Sequence, residues 1–420
     1  MPLPNDHSDR GSITVLGAGI VGTCCALALR LEGFQVKLID RDTPGAGASS
    51  GNAGMIQTGT PIPMATPSTL RQAPSMLLDS SSSLVIRWRY LPRLIPWLWR
   101  FFRQSTVRRV EANAKAQMQL LDHVADAYRE LIKAADAEDM LRYKGMLFVY
   151  KGEAEAQAAE WEIDLFRRNG VTVEALSIDE LRQMEPALNR EYSHAYYLPD
   201  CFYTVDPKRL TERLAEAFER KGGIFNQADV TRIDMGPDGP VGLRTESGTI
   251  PVERLVLAAG AFSKRFAKEM GSIVPLETAR GYHLMVRNED LQLNGPVVDG
   301  TRHFAVTPMA GGLRLGGMLE LASLNAAPNY DRAEMLLPLA QDMLPDLKGI
   351  ETESWMGHRP AIPDSLPVIE RSRRYTNTFF AFGHGQLGLT MGALTGLLIA
   401  DLAVGRSPRV DLTPYRTDRF

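Results

Sequence analysis

Three glycines near the start of the chain have the spacing of a loop that binds dinucleotide phosphates. Gly17, Gly19 and Gly22 form a GxGxxG pattern directly after the short, apolar and β-branched segment 12–16. In such loops the first glycine makes a tight turn, the second lets the backbone approach a pyrophosphate, and the third lets helix and strand pack closely. A helical pattern follows and is stopped by Gly33. The segment therefore predicts a strand, a phosphate-binding turn and a helix.

An acidic residue completes this pattern. A second predicted strand, residues 35–39, leads into Asp40, and Arg41 follows it. Asp40 lies about 20 residues beyond the glycines, where an acid can accept hydrogen bonds from ribose hydroxyls. The helix begins at Ile20 and Val21, so its first N–H groups would face the phosphates. We predict a bound nucleotide, and the alternative is a glycine-rich turn of an α/β fold that holds no ligand.

A second GxGxxG pattern, residues 383–388, lies near the end of the chain. It follows an apolar strand pattern and opens a helix to about Val404, but no strand with a terminal acid comes after it. What remains is a helix N-terminus that can stabilise negative charge, as on a reduced flavin, which favours FAD over NAD. A third segment, residues 254–263, is a predicted buried strand in which Ala259 and Gly260 permit close approach to a ligand.

The composition is that of an ordinary globular protein. Of the 420 residues, 44% are hydrophobic and 23% are charged, which argues against a disordered, collagen-like or disulfide-stapled chain. The length predicts two or three domains. The formal net charge of −3 gives no indication of a nucleic-acid partner, and we expect none. Cys24, Cys25 and Cys201 are interpreted as buried thiols in a reducing compartment.

We predict a mixed α/β fold in which a Rossmann-like FAD-binding domain is interleaved with a substrate domain. The substrate domain would contain an antiparallel or mixed sheet with a hairpin of residues 302–308 and 313–320, and long helices over 111–138 and 153–169. The predicted pieces are residues 11–85, 205–272 and 355–412 for FAD binding, and residues 86–204 and 273–354 for the substrate domain.

The order of these motifs resembles the D-amino-acid oxidase and glycine oxidase superfamily of FAD oxidoreductases. The resemblance covers nearly the full length and is strongest to the bacterial D-amino-acid dehydrogenase of the small-subunit type. The segments that carry it are GAGIVG at 17–22, Asp40-Arg41, the loop 48–55, Val205-Asp206-Pro207, Ala259-Gly260, Gly281 to Leu284, His358-Arg359-Pro360, Pro363-Asp364 and residues 383–390.

The resemblance implies roles for individual residues. The residues it places along the flavin are Ser49, Ser50, Asn52, Ala53, Gly54 and Met55, with Gly385, Leu387, Gly388, Leu389 and Thr390 under the ring. It implies that the backbone of Val230 meets the adenine and that Met55 also lies near the substrate. No His or Cys stands at the family's covalent-flavin positions, so noncovalent FAD is expected. Two departures are Glu370, where the branch usually has glycine, and Asp40, where it often has glutamate.

Arg359 is the predicted binding group for a substrate carboxylate. Its planar guanidinium suits bidentate pairing, Pro360 stiffens the chain after it, and the resemblance implies the same role. Tyr282 and His283 are neighbours on a predicted strand and must face opposite sides, so only one can reach the site. We prefer Tyr282 as a second donor to the carboxylate and keep His283 as the alternative. His384, in the second glycine loop, is a further candidate.

The predicted activity is FAD-dependent oxidative deamination of D-amino acids, including D-proline-like imino acids. A hydride would pass from Cα to flavin N5, and the electrons would leave to a quinone or another carrier. One alternative is a secondary-amine or glycine oxidase that uses oxygen. An alternative of a different class is a flavin-bearing membrane-associated protein without turnover. We expect no metal site, because no His, Cys and Asp cluster has ligand spacing.

One stretch departs from the even charge balance. The residues between Asp79 and Glu111 include no acid, and residues 84–103 mix arginine with tryptophan and other aromatic side chains. Such a mixture suits a membrane interface. Pro92 and Pro96 are expected to break any long helix here, and internal packing on the substrate domain is the equal alternative. We expect a cytoplasmic protein, with peripheral contact to the inner face of the cytoplasmic membrane left open.

Overall fold

The computed structural model describes residues 10–71, 82–287, 291–348 and 351–420, and its nucleotide half is built on a six-stranded sheet. The strands, in spatial order, are β10 (Ile224–Gln227), β2 (Gln35–Asp40), β1 (Ser12–Leu16), β14 (Leu255–Leu257), β21 (Thr378–Phe382) and β20 (Val368–Arg371). All neighbours are parallel except β20, which runs antiparallel to β21. The carboxyl ends of the parallel strands therefore meet at one edge.

Helices cover one face of this sheet and a small sheet covers the other. The helices packed together are α1 (Ile20–Leu31), α5 (Val124–Ala135), α8 (Pro207–Arg220) and α12 (Gly388–Val404). The small antiparallel sheet consists of β11 (Arg232–Gly236), β12 (Gly239–Thr245) and β13 (Gly248–Pro251). Because both faces are covered, the central strands are buried throughout, as parallel strands usually are.

A mixed sheet of nine strands forms the other half. Its strands are β19 (Glu351–Ala361), β15 (Glu277–Arg287), β18 (Gly312–Leu321), β17 (Phe304–Met309), β16 (Val297–Asp299), β6 (Met146–Tyr150), β8 (His194–Leu198) and β7 (Glu174–Leu176), with β4 (Leu84–Ile86) beside β18. A three-stranded sheet of β3 (Met55–Ile56), β9 (Phe202–Thr204) and β5 (Leu141–Arg142) connects to the loop after β2. The predicted hairpin is β17 and β18.

The other helices are α2 (67–71), α3 (Leu91–Gln104), α4 (Val107–Leu121), α6 (Glu153–Arg168), α7 (Ile178–Met184), α9 (Ser263–Glu269), α10 (Asp331–Glu334) and α11 (Leu336–Met343). Of these, α9 packs on β11 and β14 of the nucleotide half, and α4 contacts α5 and α12. α10 and α11 close the apolar core against β15 and β18. In the part of the chain that the structure describes, no helix is both long enough and apolar enough to cross a bilayer.

The predicted mixed α/β class is confirmed, and two local expectations are wrong. The helix expected over 111–138 is two helices, α4 and α5, and the turn between them lets Leu120, Leu121 and Val124 all be buried. The prolines do not break the segment after β4. Pro92 lies in the first turn of α3, where a missing N–H costs little, and α3 continues through Pro96 because Leu94 and Trp97 are buried beneath it.

The structure also differs from the predicted domain pieces at two places. The boundary at 355 falls inside β19, which pairs along its whole length with β15 of the nine-stranded sheet. α5, expected in the substrate domain, packs instead with α1, α8 and α12 in the core of the nucleotide half. The reason is that apolar faces, and not order along the chain, decide which core a helix joins.

Candidate functional site

A cavity of about 750 Å³ lies between the two large sheets. One end, the nucleotide end, is lined where β1, β2 and β14 finish, by residues that include Gly17, Asp40 and Ala259. We call the part lined by residues of β17, β18 and β19 the substrate end, and residues of α6, which packs on β6 and β8 farther along the nine-stranded sheet, also line the cavity. A cavity of this size is typical of cofactor and substrate sites, and the edge of a parallel sheet is where such sites form.

Gly17 and Gly22 make the turn at the nucleotide end possible. Gly17 has φ +113°, and a Cβ there would lie 2.4 Å from the carbonyl oxygen of Ala258. A Cβ at Gly22 would lie 1.8 Å from the carbonyl oxygen of Gly17, so only glycine lets α1 approach the strand this closely. Gly19 is different, because its nearest neighbour would be the Ser49 hydroxyl at 3.3 Å. The turn is tight on the protein side and open toward the cavity.

Side chains hold this turn in place. Asp40 accepts hydrogen bonds from the N–H of Ala18 at 2.7 Å and of Asp42 at 3.1 Å, and it also lines the cavity. The Ser49 hydroxyl accepts from the N–H of Ile20 at 2.9 Å, at the first turn of α1. Asp40 therefore positions the loop as well as facing a ligand.

The loop that the resemblance places along the flavin is tied to the nine-stranded sheet by Arg314. Its guanidinium donates to the carbonyl oxygens of Ser50 at 3.0 Å and Asn52 at 2.6 Å. Burial lowers the pKa of Arg314 to about 10, which leaves it charged at neutral pH. Within the loop, the Asn52 side chain accepts from Gly54 N–H, and Gly54 has φ +77°. Ala53 and Met55 line the cavity, whereas Ser50 and Gly54 do not.

The second glycine loop closes the cavity from the other side. Gly385 has φ +57°, a Cβ added there would meet no protein atom within 4 Å, and its N–H donates to the carbonyl oxygen of Pro360 at 2.9 Å. His384 lines the cavity and shares a hydrogen bond of 3.0 Å with the Thr395 hydroxyl. Burial lowers the pKa of His384 to about 3, so it is neutral. The loop thus presents backbone and a neutral imidazole.

The start of α12 follows this loop. Gly388 and Leu389 line the cavity, whereas Leu387, the residue just before the helix, and Thr390 do not. The Thr390 hydroxyl instead accepts a hydrogen bond of 3.1 Å from the N–H of Gln57, which lies just beyond the flavin loop. The two loops are therefore fixed to each other.

These residues fit FAD. Two left-handed glycines, Gly260 and Gly385, are open on the cavity side at its two ends, and no protein atom lies within 4 Å of the position of an added Cβ. The first turn of α1 and the start of α12 both meet the cavity, and each offers the partial positive charge that phosphates or an anionic ring require. Arg41 and Val230 also line the nucleotide end. The cavity wall therefore offers glycine backbone and helix N-termini of the kind that the phosphates and the flavin ring of FAD require.

Arg359 is a cation without a partner at the substrate end. It lines the cavity, and in the part of the chain that the structure describes its guanidinium donates no hydrogen bond and forms no ion pair. The group lies against the backbone of Gly281, where a Cβ would come within 2.6 Å of its Cζ atom. Desolvation lowers the pKa of Arg359. An unpaired, partly desolvated guanidinium is ready to bind an anion from the cavity.

Tyr282 and His283 face opposite sides of β15, as predicted. However, Tyr282, the residue that we expected in the site, is the one that faces away from the cavity. Tyr282 lies in the core behind the sheet, and its hydroxyl donates to Glu320 at 2.7 Å and accepts from Asn329 N–H at 3.2 Å. It does not line the cavity, so the expectation that it donates to a substrate carboxylate does not fit its position. His283 faces the flavin loop instead and shares a hydrogen bond of 3.0 Å with the Gly51 carbonyl oxygen.

His283 supports the site without lining the cavity. Its ring stacks on Trp355 with centroids 5.0 Å apart, and Trp355 lines the cavity. Burial, with smaller contributions from Arg314 and Arg359, lowers the pKa of His283 to about 3. Among the residues that the sequence did not indicate as site residues, Trp355, Glu162 and Phe166 line the cavity and Arg314 holds the flavin loop. The missed signal for Trp355 was its position four residues before Arg359, on the same face of a strand.

The predicted residues divide into two groups. Those that line the cavity are Gly17, Gly19, Ile20, Val21, Asp40, Arg41, Ser49, Asn52, Ala53, Met55, Val230, Ala259, Gly260, Arg359, His384, Gly385, Gly388 and Leu389. Those that do not are Gly22, Ser50, Gly54, Tyr282, His283, Leu387 and Thr390. Among the described residues, no three His, Cys, Asp or Glu side chains are grouped closely enough to hold a metal ion.

Comparison with known proteins gives consistent matches along the chain. The family model described as FAD dependent oxidoreductase (DAO) matches residues 12–402. A D-amino-acid oxidase of Bradyrhizobium diazoefficiens is 34% identical over 417 residues, which cover 97% of this chain and 98% of that protein.

Solved structures show the same fold. Glycine oxidase from Geobacillus kaustophilus superimposes with a TM-score of 0.76 at 24% identity, over 97% of this chain and 98% of that one. L-proline dehydrogenase from P. horikoshii gives a TM-score of 0.75 at 18% identity, over 98% of both chains. Since the family model and the bacterial relative both match nearly the whole length, this chain belongs to the DAO family of FAD-dependent oxidoreductases.

Proposed function

We propose that the protein is an FAD-dependent D-amino-acid dehydrogenase. Its cofactor is FAD, as for the family as a whole, and the 34% identical relative is named a D-amino-acid oxidase. The observation that carries the proposal is the unpartnered guanidinium of Arg359, which lines the cavity together with Gly385 and Trp355. A fixed cation next to the flavin loops is what an α-carboxylate needs for its Cα to be held in one place.

The side chains of this chain position the substrate and exclude water. Arg359 binds the carboxylate through two parallel hydrogen bonds, and Met55 and Leu319 line the cavity as well. His384 and His358 also line the cavity, and burial lowers their pKa values to about 3 and about 4, so neither adds a positive charge at neutral pH. FAD, when bound, accepts the hydride from Cα. The imine then hydrolyses to a 2-oxo acid and ammonia, and a cyclic imine from a D-proline-like substrate can persist.

Anaerobic reduction of the flavin tests the substrate class. The purified protein is loaded with FAD and mixed, without oxygen, with D- and L-amino acids, glycine, sarcosine and D-proline. We expect D-amino acids to bleach the oxidised flavin band and their L-enantiomers not to. Reduction by sarcosine or glycine alone would instead support the secondary-amine oxidase alternative. Retained FAD that no amine reduces would support the non-catalytic alternative.

The electron acceptor is the second part of the proposal. We propose a quinone or another carrier, and the alternative is oxygen. Oxygen uptake and peroxide are measured against reduction of a soluble quinone analogue at the same D-amino acid concentration. Quinone reduction that clearly exceeds oxygen uptake supports a dehydrogenase, and the reverse ratio makes the protein an oxidase.

An exposed apolar stripe near the substrate end supports contact with a membrane. Ile95, Trp99 and Phe102 lie on one face of α3 at i, i+4 and i+7, Trp88 precedes them, and each of the four is 54% to 62% exposed. Arg89, Arg93, Arg100 and Arg103 are exposed beside this stripe. The opposite face of α3 packs on Leu84 and Leu319, which line the cavity. Apolar side chains flanked by arginines match an anionic lipid surface.

Vesicle binding tests this contact. We propose that the protein is cytoplasmic and binds the inner face of the membrane peripherally through α3, which would bring a lipid-soluble quinone close to the site. Co-sedimentation with phosphatidylserine vesicles should fall strongly in a Trp99→Ser/Phe102→Ser variant. The matched control is Ile178→Ser/Ile273→Ser, which removes exposed apolar side chains elsewhere. Equal binding by both variants, or a dimer that the first variant dissociates, would contradict the lipid assignment.

A further inference from the structure

Three consecutive carbonyl groups of the flavin loop are held by side chains of the nine-stranded sheet. Arg314 of β18 donates through a single nitrogen, Nη1, to the carbonyl oxygens of Ser50 at 3.0 Å and Asn52 at 2.6 Å. His283 of the neighbouring strand β15 shares a hydrogen bond of 3.0 Å with the carbonyl oxygen between them, that of Gly51. A carbonyl oxygen only accepts, so Nδ1 of His283 carries the proton. We call these two side chains the loop clamp.

The loop clamp turns amide N–H groups of the loop toward the cavity. Across a trans peptide bond, the N–H of each residue points away from the carbonyl oxygen of the residue before it. Arg314 does not line the cavity, whereas Gly51, Asn52 and Ala53 do, so the loop lies between the guanidinium and the cavity. The N–H groups of Gly51 and Ala53 follow the two carbonyls that Arg314 holds, and they therefore face the cavity.

These two N–H groups have no partner among the residues that the structure describes. The alternate residues Ser50, Asn52 and Gly54 all donate to neighbouring groups of the same stretch, at 2.9 to 3.3 Å. Within the described ranges, neither Gly51 nor Ala53 donates a backbone hydrogen bond. An N–H group that faces a cavity without a partner costs free energy unless a ligand accepts from it. The loop thus uses every second N–H for its own shape and leaves the others for a ligand.

The course of the loop indicates which part of FAD would accept from these groups. Near its start, the Ser49 hydroxyl holds the N–H of Ile20 at the phosphate-binding turn. From there the loop runs to the nine-stranded sheet, where the loop clamp fixes it. With the phosphates at the turn, the flavin ring is the part of FAD that extends toward this sheet. Its ring nitrogen and carbonyl oxygen atoms are hydrogen-bond acceptors.

We infer that Arg314 and His283 are positioning residues that raise the reduction potential of the bound flavin. They act through the N–H groups of Gly51 and Ala53, which donate to acceptor atoms of the ring. Two electrons and one proton convert the neutral oxidised ring into an anionic reduced ring, so fixed N–H dipoles stabilise the reduced form more. The inference rests on FAD as the cofactor and does not depend on which amine is the substrate.

Glycine at position 51 and Trp355 complete this arrangement. A Cβ added to Gly51 would lie 2.1 Å from the indole of Trp355, so only glycine lets the loop backbone rest on that ring. The same indole stacks on the imidazole of His283, with ring centroids 5.0 Å apart. The Gly51 peptide is therefore held by a hydrogen bond to its carbonyl and by an aromatic surface beneath it.

The midpoint potential of the bound flavin tests the inference without any substrate. The FAD-loaded protein is reduced with dithionite in the absence of oxygen, together with a redox dye of known potential, and the two spectra are compared at equilibrium. His283→Phe keeps an aromatic ring against Trp355 but removes the donor to Gly51. It should weaken the preference for reduced over oxidised FAD about tenfold, which lowers the potential by about 30 mV. Burial lowers the pKa of His283 to about 3, so this variant loses no charge.

Two arginine variants separate the geometry of the loop from charge. Arg314→Gln removes a positive charge together with the donors to two carbonyls, and it should lower the potential more than His283→Phe does. The matched control is Arg287→Gln, which removes an exposed charge of β15 that does not line the cavity, and it should leave the potential unchanged. An unchanged potential in His283→Phe overturns the inference even if Arg314→Gln lowers it, because the effect would then be one of charge. An equal fall in Arg287→Gln overturns it as well.

Hydrogen exchange of the wild type gives a second readout that requires no variant to fold. Peptides that cover residues 50–54 are followed by mass spectrometry in the apoprotein and in the FAD-loaded protein. FAD should slow the exchange of two further amides, those of Gly51 and Ala53. Exchange in this stretch that FAD leaves unchanged overturns the inference. If no amine reduces the flavin, both measurements still stand, and that result counts against the proposed function alone.

Discussion

The two ends of the cavity are built in different ways. The nucleotide end is made by glycines and by the first turn of α1, so it offers backbone groups held by close backbone contacts, such as Gly17 against Ala258 and Gly22 against Gly17. The substrate end is made by residues of β17, β18 and β19, which come together only in the folded sheet. Substitutions at the first end should act through shape, on cofactor and fold. Substitutions at the second should act through charge, on substrate binding.

The largest effect is expected from Gly17→Ala. Its left-handed φ of +113° strains any other residue, and the added Cβ would collide with the Ala258 carbonyl 2.4 Å away. We expect more than about 2 kcal/mol of destabilisation and loss of bound FAD. Flavin absorbance per protein and the melting temperature measure this. The control, Gly152→Ala, places its methyl in open space. A Gly17→Ala protein that retains full FAD would contradict the assignment of this turn.

A smaller but selective effect is expected from Arg359→Ala at the substrate end. Removing a charged, bidentate hydrogen-bond donor should lower kcat/KM for D-amino acids about 100-fold. FAD content and melting temperature should stay near wild type, because Arg359 makes no hydrogen bond within the described chain. Arg359→Lys keeps the positive charge but not the planar, bidentate guanidinium, and it should recover part of the lost kcat/KM. Unchanged flavin reduction in Arg359→Ala would mean that another group binds the carboxylate.

The same contrast explains which features the sequence could predict. The GxGxxG turn, the Asp40 strand end and the loop before Met55 are local patterns, and the structure places them along one cavity. The strand alternation correctly predicted that Tyr282 and His283 face opposite sides. Which side faces the cavity depends on the pairing of β15 with β18 and β19, and those strands are distant in the sequence. A pattern local to β15 has no information about that choice.

Two other features that the sequence did not predict have the same physical origin. In the sequence, Glu162 is one of several charged residues of a predicted scaffold helix. Its position on the cavity wall follows only from the packing of α6. Proline was expected to end the segment before Trp97, but the burial of Leu94 and Trp97 stabilises α3 by more than the one lost hydrogen bond costs. Tertiary packing decided both features, and local propensity did not.

A pH-dependent difference is expected between the halves. In the substrate half, burial raises the pKa of Glu185 to about 7, although it accepts hydrogen bonds from Asn294 and Gly295 N–H. The unfolded state releases this proton near the ordinary glutamate pKa of about 4.5, whereas the folded state keeps it until about pH 7. The free energy of unfolding should therefore fall as the pH rises from about 4.5 to about 7.

Glu185→Gln should remove this loss. At pH 8 we expect its melting temperature to exceed that of the wild type by a few degrees, which corresponds to about 1–2 kcal/mol of unfolding free energy. Near pH 5 the two melting temperatures should be equal. Scanning calorimetry of both proteins from pH 5 to 8 measures the difference. Glu370→Gln is the counterpart in the nucleotide half, where burial also raises the carboxyl pKa and Thr417 donates twice to the carboxylate, so that variant should shift stability in the same direction. Parallel pH profiles for wild type and Glu185→Gln would rule the explanation out.

The smallest effect should come from Tyr282→Phe, and it separates structure from chemistry on one strand. The hydroxyl bonds Glu320 and Asn329 in the core behind β15, and Glu320 also accepts from Arg87 and Arg280. Because Glu320 would lose one of its three donors, the free energy of unfolding should fall by about 1 kcal/mol and the melting temperature by about 1–3 °C. Since the ring does not line the cavity, kcat/KM should be unchanged. A tenfold fall in kcat/KM at unaltered melting temperature would instead place Tyr282 on the substrate and reverse the assignment of the two faces of β15.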